Sequence, residues 1–287
     1  AYAVPAIFLL TKIKVWTYIR INTNKSLSKE MNAYSKPMVF NNLAWWVNNA
    51  SDRYIVTWLC GAAENGIYSI SYKIPSLLNV FQEIFSQAWT LSAVKEYNAK
   101  NSDFYTTVYG IYNFAMVFTC SCLIIVDKLI AKILFSQEFY TAWTYAPFLM
   151  ISVLFGSLSG LIGGIFSAAK KSNVFARTTI LGASVNTVLN IGLVYFMGPM
   201  GAAVATLISY ILVWAARIYE AKKIVELSIN LKRDIIAYCL LLAQAVTLFT
   251  NMHLLWQSCL LLIPLLIILR MYNGLIRKFL LRLVRKK

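Results

Sequence analysis

The amino-acid sequence predicts an all-α polytopic membrane protein with about eight complete transmembrane helices. The first observation is composition, because hydrophobic residues make up 59% of the 287-residue chain and charged residues only 13%, against about 45–50% and about 25% in soluble domains. The second is a series of apolar runs long enough to cross a membrane. The third is the alternation of basic residues between successive loops. So few polar side chains cannot cover a water-facing surface, which excludes a soluble protein.

Eight apolar runs have the length of a transmembrane helix. They cover residues 37–59, 66–91, 104–126, 142–168, 176–197, 201–219, 235–251 and 254–270. The last two are short and are expected to form a tight hairpin with little tilt. A further apolar stretch, residues 1–10, reaches about 15 Å. We interpret it as the cytoplasmic end of a truncated spanning helix, and therefore expect the sequence to be a fragment.

Basic residues concentrate on one side of the predicted helices. Most of the 27 lysine and arginine residues lie in the leading segment, in every second loop, to which Arg217 is assigned, and in the tail. The intervening gaps contain only Lys128 and Lys132, and the same external gap has Asp127 and Glu138, which we expect to be solvated. The positive-inside rule therefore predicts that both ends are cytoplasmic. Topology and contact with anionic lipids explain the net charge of +16, and no nucleic-acid partner is expected. The basic, leucine-containing stretch 277–287 is expected to lie along the membrane surface.

Polar residues follow one face of each of the first two predicted helices. The first stripe comprises Asn41, Asn42, Asn48, Asn49, Asp52 and Arg53, and the second comprises Ser69, Lys73, Ser76, Asn79 and Glu83. Spacings of three, four and seven place the members of each stripe on one side of a helix. An ionised group at the bilayer centre costs at least about 2.5–3.5 kcal/mol. Both stripes are therefore expected to face a protein interior or a wet cavity.

Arg53 and Lys73 are predicted to lie at a similar depth, about 9–10 Å from the outer ends of their helices. One interpretation is a cationic cavity wall that receives an anionic substrate. The alternative is that Asp52 and Glu83 neutralise the two cations, with Asp52–Lys73 as a plausible fixed pair, or that Arg53 reaches outward to the membrane surface. The residues alone leave both interpretations open.

The fifth predicted helix contains Asn186 and Asn190, which either line the same cavity or hydrogen-bond between helices. Motifs typical of phosphate-binding loops, zinc proteases and serine hydrolases are not found in the sequence. The five cysteines and the single histidine are not spaced as a metal site. We therefore expect no enzymatic activity, no metal and no cofactor.

Several short patterns together resemble one transporter family. They are Pro37, Trp45-Trp46, Ser51-Asp52-Arg53-Tyr54-Ile55, Gly61, Asn65-Gly66-Ile67-Tyr68-Ser69 and Tyr72-Lys73-Ile74, followed by Gln87-Ala88-Trp89, Lys170-Lys171, Asn186 through Asn190, and Gly198 through Ala203. They resemble the start and the later part of the second six-helix lobe of polysaccharide-type flippases. These are the O-antigen and capsular repeat-unit transporters of the multidrug/oligosaccharidyl-lipid/polysaccharide (MOP) superfamily. The resemblance covers most of residues 34–219.

The resemblance implies two six-helix lobes around a central cavity, with residues 34–219 as the second lobe. Residues 1–33 would be the end of a truncated helix and a basic cytoplasmic linker. Residues 220–287 would be a cytoplasmic loop, two further transmembrane helices and a basic tail. The family moves undecaprenyl-diphosphate-linked oligosaccharides to the outer leaflet of the bacterial cytoplasmic membrane by alternating access. The implied partners are this substrate, membrane lipids and an N-terminal lobe of the same protein.

The resemblance also implies roles for individual residues. Arg53 and Lys73 would hold the diphosphate or an acidic sugar. Tyr72 and the amides would contact sugar hydroxyls; these amides are Asn48, Asn49, Asn186 and Asn190. Glu83 would titrate if protons drive transport. The alternatives are a cation-coupled drug exporter of the same superfamily, an integral-membrane glycan polymerase or acyltransferase, and a packing subunit without a transport route.

Overall fold

The computed structural model describes residues 3–14, 17, 24–95, 102–250 and 254–284. Within these residues the structure is all-helical, as predicted. The α-helices are α1 (Ala3–Ile13), α2 (Lys25–Cys60), α3 (Ala62–Ser71), α4 (Ser76–Lys95), α5 (Ser102–Leu134), α6 (Ala146–Ala168), α7 (Ser172–Met197), α8 (Pro199–Ala221), α9 (Leu231–Thr247) and α10 (Leu254–Val284). A 3₁₀ helix, Gln137–Thr144, lies between α5 and α6.

Five helical segments among the described residues are long and apolar enough to cross a membrane. They are Asp103–Leu134, Ala146–Ala168, Ser172–Met197, Pro199–Ala221 and Trp256–Arg277. A multi-pass membrane protein is therefore confirmed, but the predicted number of eight is not. The other three predicted runs fall on α2, which is rich in asparagine, on the broken pair α3–α4, and on α9, which has only 17 residues.

The second predicted helix, 66–91, is interrupted in the structure. α3 ends at Ser71, residues 72–75 form a turn, and α4 starts at Ser76. Pro75 explains the break, because proline has no N–H to donate and its ring clashes with the carbonyl four residues earlier. Gly61 separates α3 from α2 and adopts a φ of 92°, which glycine tolerates because it has no Cβ.

Two predicted loop segments are helical instead. α2 begins at Lys25, where the Asn24 side chain accepts hydrogen bonds from the N–H groups of Ser26 and Leu27, as an N-cap does. Much of the predicted linker 1–33 is therefore helix. α5 continues to Leu134, so Asp127 lies on a helix and is fully buried. The expectation that Asp127 is solvated was wrong, because the helix runs past the end of its apolar run.

The extension of α5 also includes Lys128, which was predicted to lie in the external gap. Its Nζ donates to the Leu248 carbonyl over 2.6 Å and lies 4.4 Å from the centre of the Trp143 ring. The carbonyl and the aromatic face satisfy the ammonium group without an acidic partner. Lys128 thus ties α5 to the 3₁₀ helix and to the turn after α9.

Helix α6 forms the centre of the packing. Its side chains are buried along most of its length, and α4, α5 and α8 pack around it. α2 packs against α7, and α7 packs against α8. These contacts bring α2, α4 and α8 together at one side of α6, where the candidate site lies.

Arg217 lies inside this packed core, on α8, and is fully buried. Its Nη1 donates to the Ser159 carbonyl over 2.7 Å, and its Nε and Nη2 donate to the hydroxyls of Thr178 and Thr179 over 3.1 and 2.7 Å. The prediction of a cytoplasmic loop position was therefore wrong. α8 extends to Ala221, and these neutral acceptors make burial of the guanidinium possible.

The last two helices are attached to the rest by buried polar contacts. Tyr272 of α10 donates to Asp234 of α9 over 2.8 Å, and Asn113 of α5 donates to the Tyr272 hydroxyl over 3.0 Å. α10 continues to Val284, through most of the stretch predicted to lie along the membrane surface. Residues 285–287 of that stretch are outside the described residues.

Candidate functional site

Asp52 of α2 is the centre of a buried polar cluster. The side chain is fully buried, and its carboxylate accepts from Asn190 Nδ2 at 2.8 Å and from Thr206 Oγ1 at 2.5 Å. The hydroxyls of Tyr72 and Tyr68 donate to it over 3.1 and 3.3 Å. All four donors are neutral. The cluster therefore satisfies a carboxylate by hydrogen bonds rather than by an ion pair.

Asn186 and Asn190 extend this cluster across α7. Asn186 Nδ2 donates to Thr206 over 3.2 Å, Ser51 donates to Asn186 Oδ1 over 3.0 Å, and Asn190 Nδ2 lies 3.1 Å from Asn186 Oδ1. Both asparagines are fully buried. Of the two interpretations of the sequence, hydrogen bonding between helices is the one that the structure describes, and these contacts join α2, α7 and α8.

A cavity of about 410 Å³ lies next to this cluster. Its lining residues come from α2, α4, α6, α8 and the turn after α3, and are Trp45, Asn49, Arg53, Tyr72, Asn79, Gln82, Ser152, Val153, Gly156, Thr206 and Tyr210. Tyr72 and Thr206 belong to both the cavity wall and the Asp52 cluster. A change in hydrogen bonding at Asp52 would therefore reorient two hydroxyl groups in the cavity wall.

The wall of the cavity combines one cation with amides and aromatic rings. The Arg53 guanidinium lies over the Tyr72 ring, 5.4 Å from its centre. The Trp45 and Tyr210 rings lie 5.5 Å apart, and the Tyr210 hydroxyl donates to Asn49 over 3.1 Å. None of the described lining residues is acidic, and Arg53 forms no ion pair within the described part of the chain. The site is thus chemically suited to an anion with hydroxyl groups.

The structure does not bring all of the predicted site residues together. Lys73 and Glu83 are exposed and do not line this cavity, and Asn48 is buried on α2. No Asp52–Lys73 ion pair forms, since all of the hydrogen bonds recorded for Asp52 come from neutral groups. The physical reason is the turn at residues 72–75, because the predicted stripe assumed one continuous helix through Lys73.

Several lining residues were not identified from the sequence. Gln82 follows Asn79 at a helical spacing of three, and this signal was available. Thr206 and Tyr210 are four residues apart on α8, and Ser152 lies on a face of α6 that is otherwise small and apolar. Such residues are common at helix contacts in membranes, so one sequence does not distinguish them from packing residues.

Comparison with known proteins adds to this geometry. The family described as "Polysaccharide biosynthesis protein" matches residues 2–144, about half of the chain. This match agrees with the resemblance to polysaccharide-type flippases seen in the sequence. The chain is also 22% identical over 209 residues to the probable low-salt glycan biosynthesis flippase Agl15 of Haloferax volcanii. That alignment covers 68% of this chain and 43% of the archaeal protein.

Two solved structures show the same fold. The lipid II flippase MurJ, in an inward-closed conformation, matches with a TM-score of 0.65 and 15% identity, covering 94% of this chain and 60% of that one. An outward-facing multidrug resistance transporter of the MATE family, in the MOP superfamily, matches with a TM-score of 0.56 and 19% identity, covering 79% and 57%. The chain therefore spans less than two thirds of the length of these relatives.

Proposed function

We propose that the chain is part of a flippase that moves an undecaprenyl-diphosphate-linked oligosaccharide across the bacterial cytoplasmic membrane for surface polysaccharide synthesis. The observation that carries the proposal is the cavity beside Asp52, whose wall contains an unpaired arginine, amides and aromatic rings. Support also comes from the family description and from the name of the archaeal relative.

The chemistry of the wall fits the two parts of such a substrate. A guanidinium can bind phosphate oxygens through two parallel hydrogen bonds, and it stays charged at any physiological pH. Arg53 would therefore bind the diphosphate. Asn49, Asn79 and Gln82 carry amide groups that can donate to and accept from sugar hydroxyls. The Trp45 and Tyr210 rings would pack against the apolar faces of the sugars.

Transport would follow the alternating-access scheme, in which two lobes rock about a central site. In this proposal residues 34–219 are one lobe, residues 1–33 and 220–287 flank it, and a second lobe of the same protein closes the cavity. Both ends of the chain would be cytoplasmic. Lys73 and Glu83, which are exposed, would contact the substrate or the second lobe only outside the described cavity.

Asp52 is the proposed coupling residue. A buried carboxylate surrounded only by neutral donors can take up a proton or a small monovalent cation without breaking an ion pair. Uptake would redirect the Tyr72 and Thr206 hydroxyls, which also face the cavity. Binding at Asp52 would then alter the substrate site directly.

A drug exporter is the alternative, and the shared fold with a multidrug resistance transporter favours it. The aromatic rings of the cavity would accept planar organic compounds. The unpaired Arg53 argues against cationic drugs, because bringing a like charge into the same site is unfavourable. Anionic or neutral compounds would be the substrates that this alternative allows.

Replacement of Arg53 by alanine tests the proposal. The variant is expressed from the complete gene in a host lacking the native copy, and surface glycan and cytoplasmic lipid-linked oligosaccharide are both measured. Loss of a charge-assisted hydrogen bond worth about 1.5–3 kcal/mol should weaken substrate binding by roughly tenfold or more. Surface glycan should fall while the lipid-linked precursor accumulates.

The matched control is Arg277→Ala, because Arg277 is exposed on α10 and does not line the cavity. It should leave both quantities unchanged. The double variant Arg53→Ala with Lys73→Ala measures any contribution of Lys73. Normal glycan export by Arg53→Ala at a normal protein level would contradict the proposal, and a selective loss of drug resistance would favour the alternative.

A further inference from the structure

A second cavity, a groove of about 570 Å³, lies between α7 and α8, away from the candidate site. Its apolar part is formed by Ile180, Leu181 and Ala216, and the end nearest the helix termini is formed by Val174, Arg177 and Tyr219. We propose that this groove binds one anionic phospholipid, with an acyl chain along the apolar part and the phosphate at Arg177. This inference does not rest on the proposed function.

The apolar part of the groove has the properties of a surface that faces lipid. Ile180 and Leu181 are 43% and 49% exposed although both lie in a helix apolar enough to cross a membrane. Arg177 and Ser184, which both line the groove, are seven residues apart on α7, a distance of about 10 Å along the helix axis. Such a trough can hold a stretch of acyl chain.

The position of Arg177 fits the level of a lipid headgroup. Arg177 lies in the second turn of α7, and Tyr219 lies in the last turn of the antiparallel helix α8. Both are therefore near the same ends of the two helices, where tyrosine and arginine typically meet the membrane–water interface. The groove runs from this end toward the middle of the helices.

The charges around the polar end are predominantly positive. Arg177 is exposed and forms no ion pair among the described residues. The acidic residue of the groove, Glu220, accepts from Lys223 over 2.8 Å. Its charge is therefore already compensated, and Arg177 remains available for an anion.

The buried Arg217 adds a second positive charge next to this end of the groove. Its Nε donates to the Thr178 hydroxyl over 3.1 Å, and Thr178 is itself part of the groove wall. Within the described residues no carboxylate pairs with Arg217, whose acceptors are a carbonyl and two hydroxyls. A buried cation without a counter-ion is unfavourable. An anionic headgroup at Arg177 would compensate both charges, whereas a zwitterionic headgroup brings its own cation to the site.

The test uses the purified complete protein in a mild detergent with added phosphatidylglycerol or phosphatidylcholine. Lipid retention is followed by native mass spectrometry, and thermal unfolding is measured in parallel. Phosphatidylglycerol should be retained more strongly and should raise the unfolding temperature more. Arg177→Gln should weaken phosphatidylglycerol binding by about fivefold, the effect of one basic residue near a membrane surface, and leave phosphatidylcholine unchanged.

Two further variants distinguish the groove from general surface attraction. Ser184→Trp fills the apolar part of the groove and should reduce retention of phosphatidylglycerol while Arg177 is intact. Lys132→Gln removes an exposed charge at the end of α5, outside the groove, and should have no effect. Equal retention of the two lipids, an Arg177→Gln variant that binds as the wild type does, or stronger competition by undecaprenyl phosphate than by phosphatidylglycerol would overturn the proposal. None of these measurements depends on substrate transport.

Discussion

At the residue scale, the pair Asp52–Arg53 shows how adjacent side chains acquire opposite environments. Successive residues of a helix point about 100° apart. Asp52 therefore turns toward α7, α8 and the end of α3, which together supply its four neutral donors. Arg53 turns toward the cavity and the Tyr72 ring. One helix thus supplies both a buried anion that organises the core and a cation that remains free to bind a ligand.

The Asp52 cluster predicts a measurable effect of Asp52→Asn on stability. Asparagine has one acceptor oxygen where the carboxylate has two. In the variant, the side-chain NH₂ group therefore faces groups that donate hydrogen bonds to Asp52 in the wild type. Loss of hydrogen bonds to a charged acceptor costs about 1.5–3 kcal/mol. The unfolding temperature in detergent should fall, and Glu138→Gln, at an exposed position, should leave it unchanged. An Asp52→Asn variant as stable as the wild type would indicate that Asp52 is neutral in the folded protein.

The sequence predicted part of this site and not the rest. The spacing of Asn49 and Arg53 identified the cavity-facing side of α2, because that part of α2 is an uninterrupted helix. The same reasoning failed for Lys73, which lies in the turn before α4, because a helical stripe loses its meaning where the helix breaks. The donor to Asp52 on α8, Thr206, was not predicted, because it lies 154 residues from Asp52 in the sequence.

At the element scale, the turn between α7 and α8 depends on two glycines. Gly198 adopts a φ of 60°, in the left-handed region that favours glycine. Gly201 allows α8 to pass directly against α7, because a Cβ at this position would overlap the carbonyl group of Leu193. This close approach brings Thr206 within reach of Asp52.

Gly201→Ala should therefore destabilise the protein strongly. The overlapping atoms belong to the backbone of α7, so no side-chain rotation relieves the clash, and overpacking of this kind typically costs about 1–3 kcal/mol. Thermal unfolding of the purified protein measures the effect. Gly192→Ala is the matched control, because a Cβ there meets no atom within 4 Å, and it should be neutral or stabilising by up to about 1 kcal/mol. Equal effects of the two substitutions would contradict the proposed contact between α7 and α8.

The accuracy of the predicted helix limits depends on how apolar each helix is along its length. α6, α7 and α8 are long apolar helices, and their predicted limits agree closely with the structure. α2 and α5 extend beyond their apolar runs, because helical hydrogen bonding does not require apolar residues once an end is capped or packed. Hydropathy therefore located the helices, whereas Pro75 and Asn24 determined where two of them start.

At the scale of the whole molecule, eight transmembrane helices were predicted, and five helices of the described residues are apolar enough to cross a membrane. This difference has a physical cause. α2 carries its polar stripe toward the cavity and toward α7, so its average composition is not that of a lipid-facing helix. Helices that line a polar interior are the ones that a hydropathy criterion misses. A count of membrane-crossing helices that uses hydropathy alone therefore omits helices whose polar side chains line the site. The division of the chain at residues 34 and 219 remains a prediction.

The orientation of the molecule is a prediction that cysteine labelling can test. In a background in which the five native cysteines are replaced, single cysteines are introduced at Ser28, Glu138 and Glu226, all of which are exposed. The positive-inside rule predicts that Ser28 and Glu226 are cytoplasmic, because basic residues surround them, and that Glu138 is external. A membrane-impermeant maleimide should label Glu138→Cys in intact cells and the other two only after permeabilisation.

Labelling of buried Cys120, retained alone, serves as the background control, because its side chain is fully buried. The inverse labelling pattern would place the basic ends outside and contradict the predicted orientation. Labelling of all three introduced cysteines from one side would mean an even number of membrane crossings both between residues 28 and 138 and between residues 138 and 226. At least one helix before Glu138 and at least one of α6, α7 and α8 would then not cross the membrane. Either result would contradict the proposed direction of transport, because that direction assumes that the substrate enters the cavity from the cytoplasmic face of the membrane.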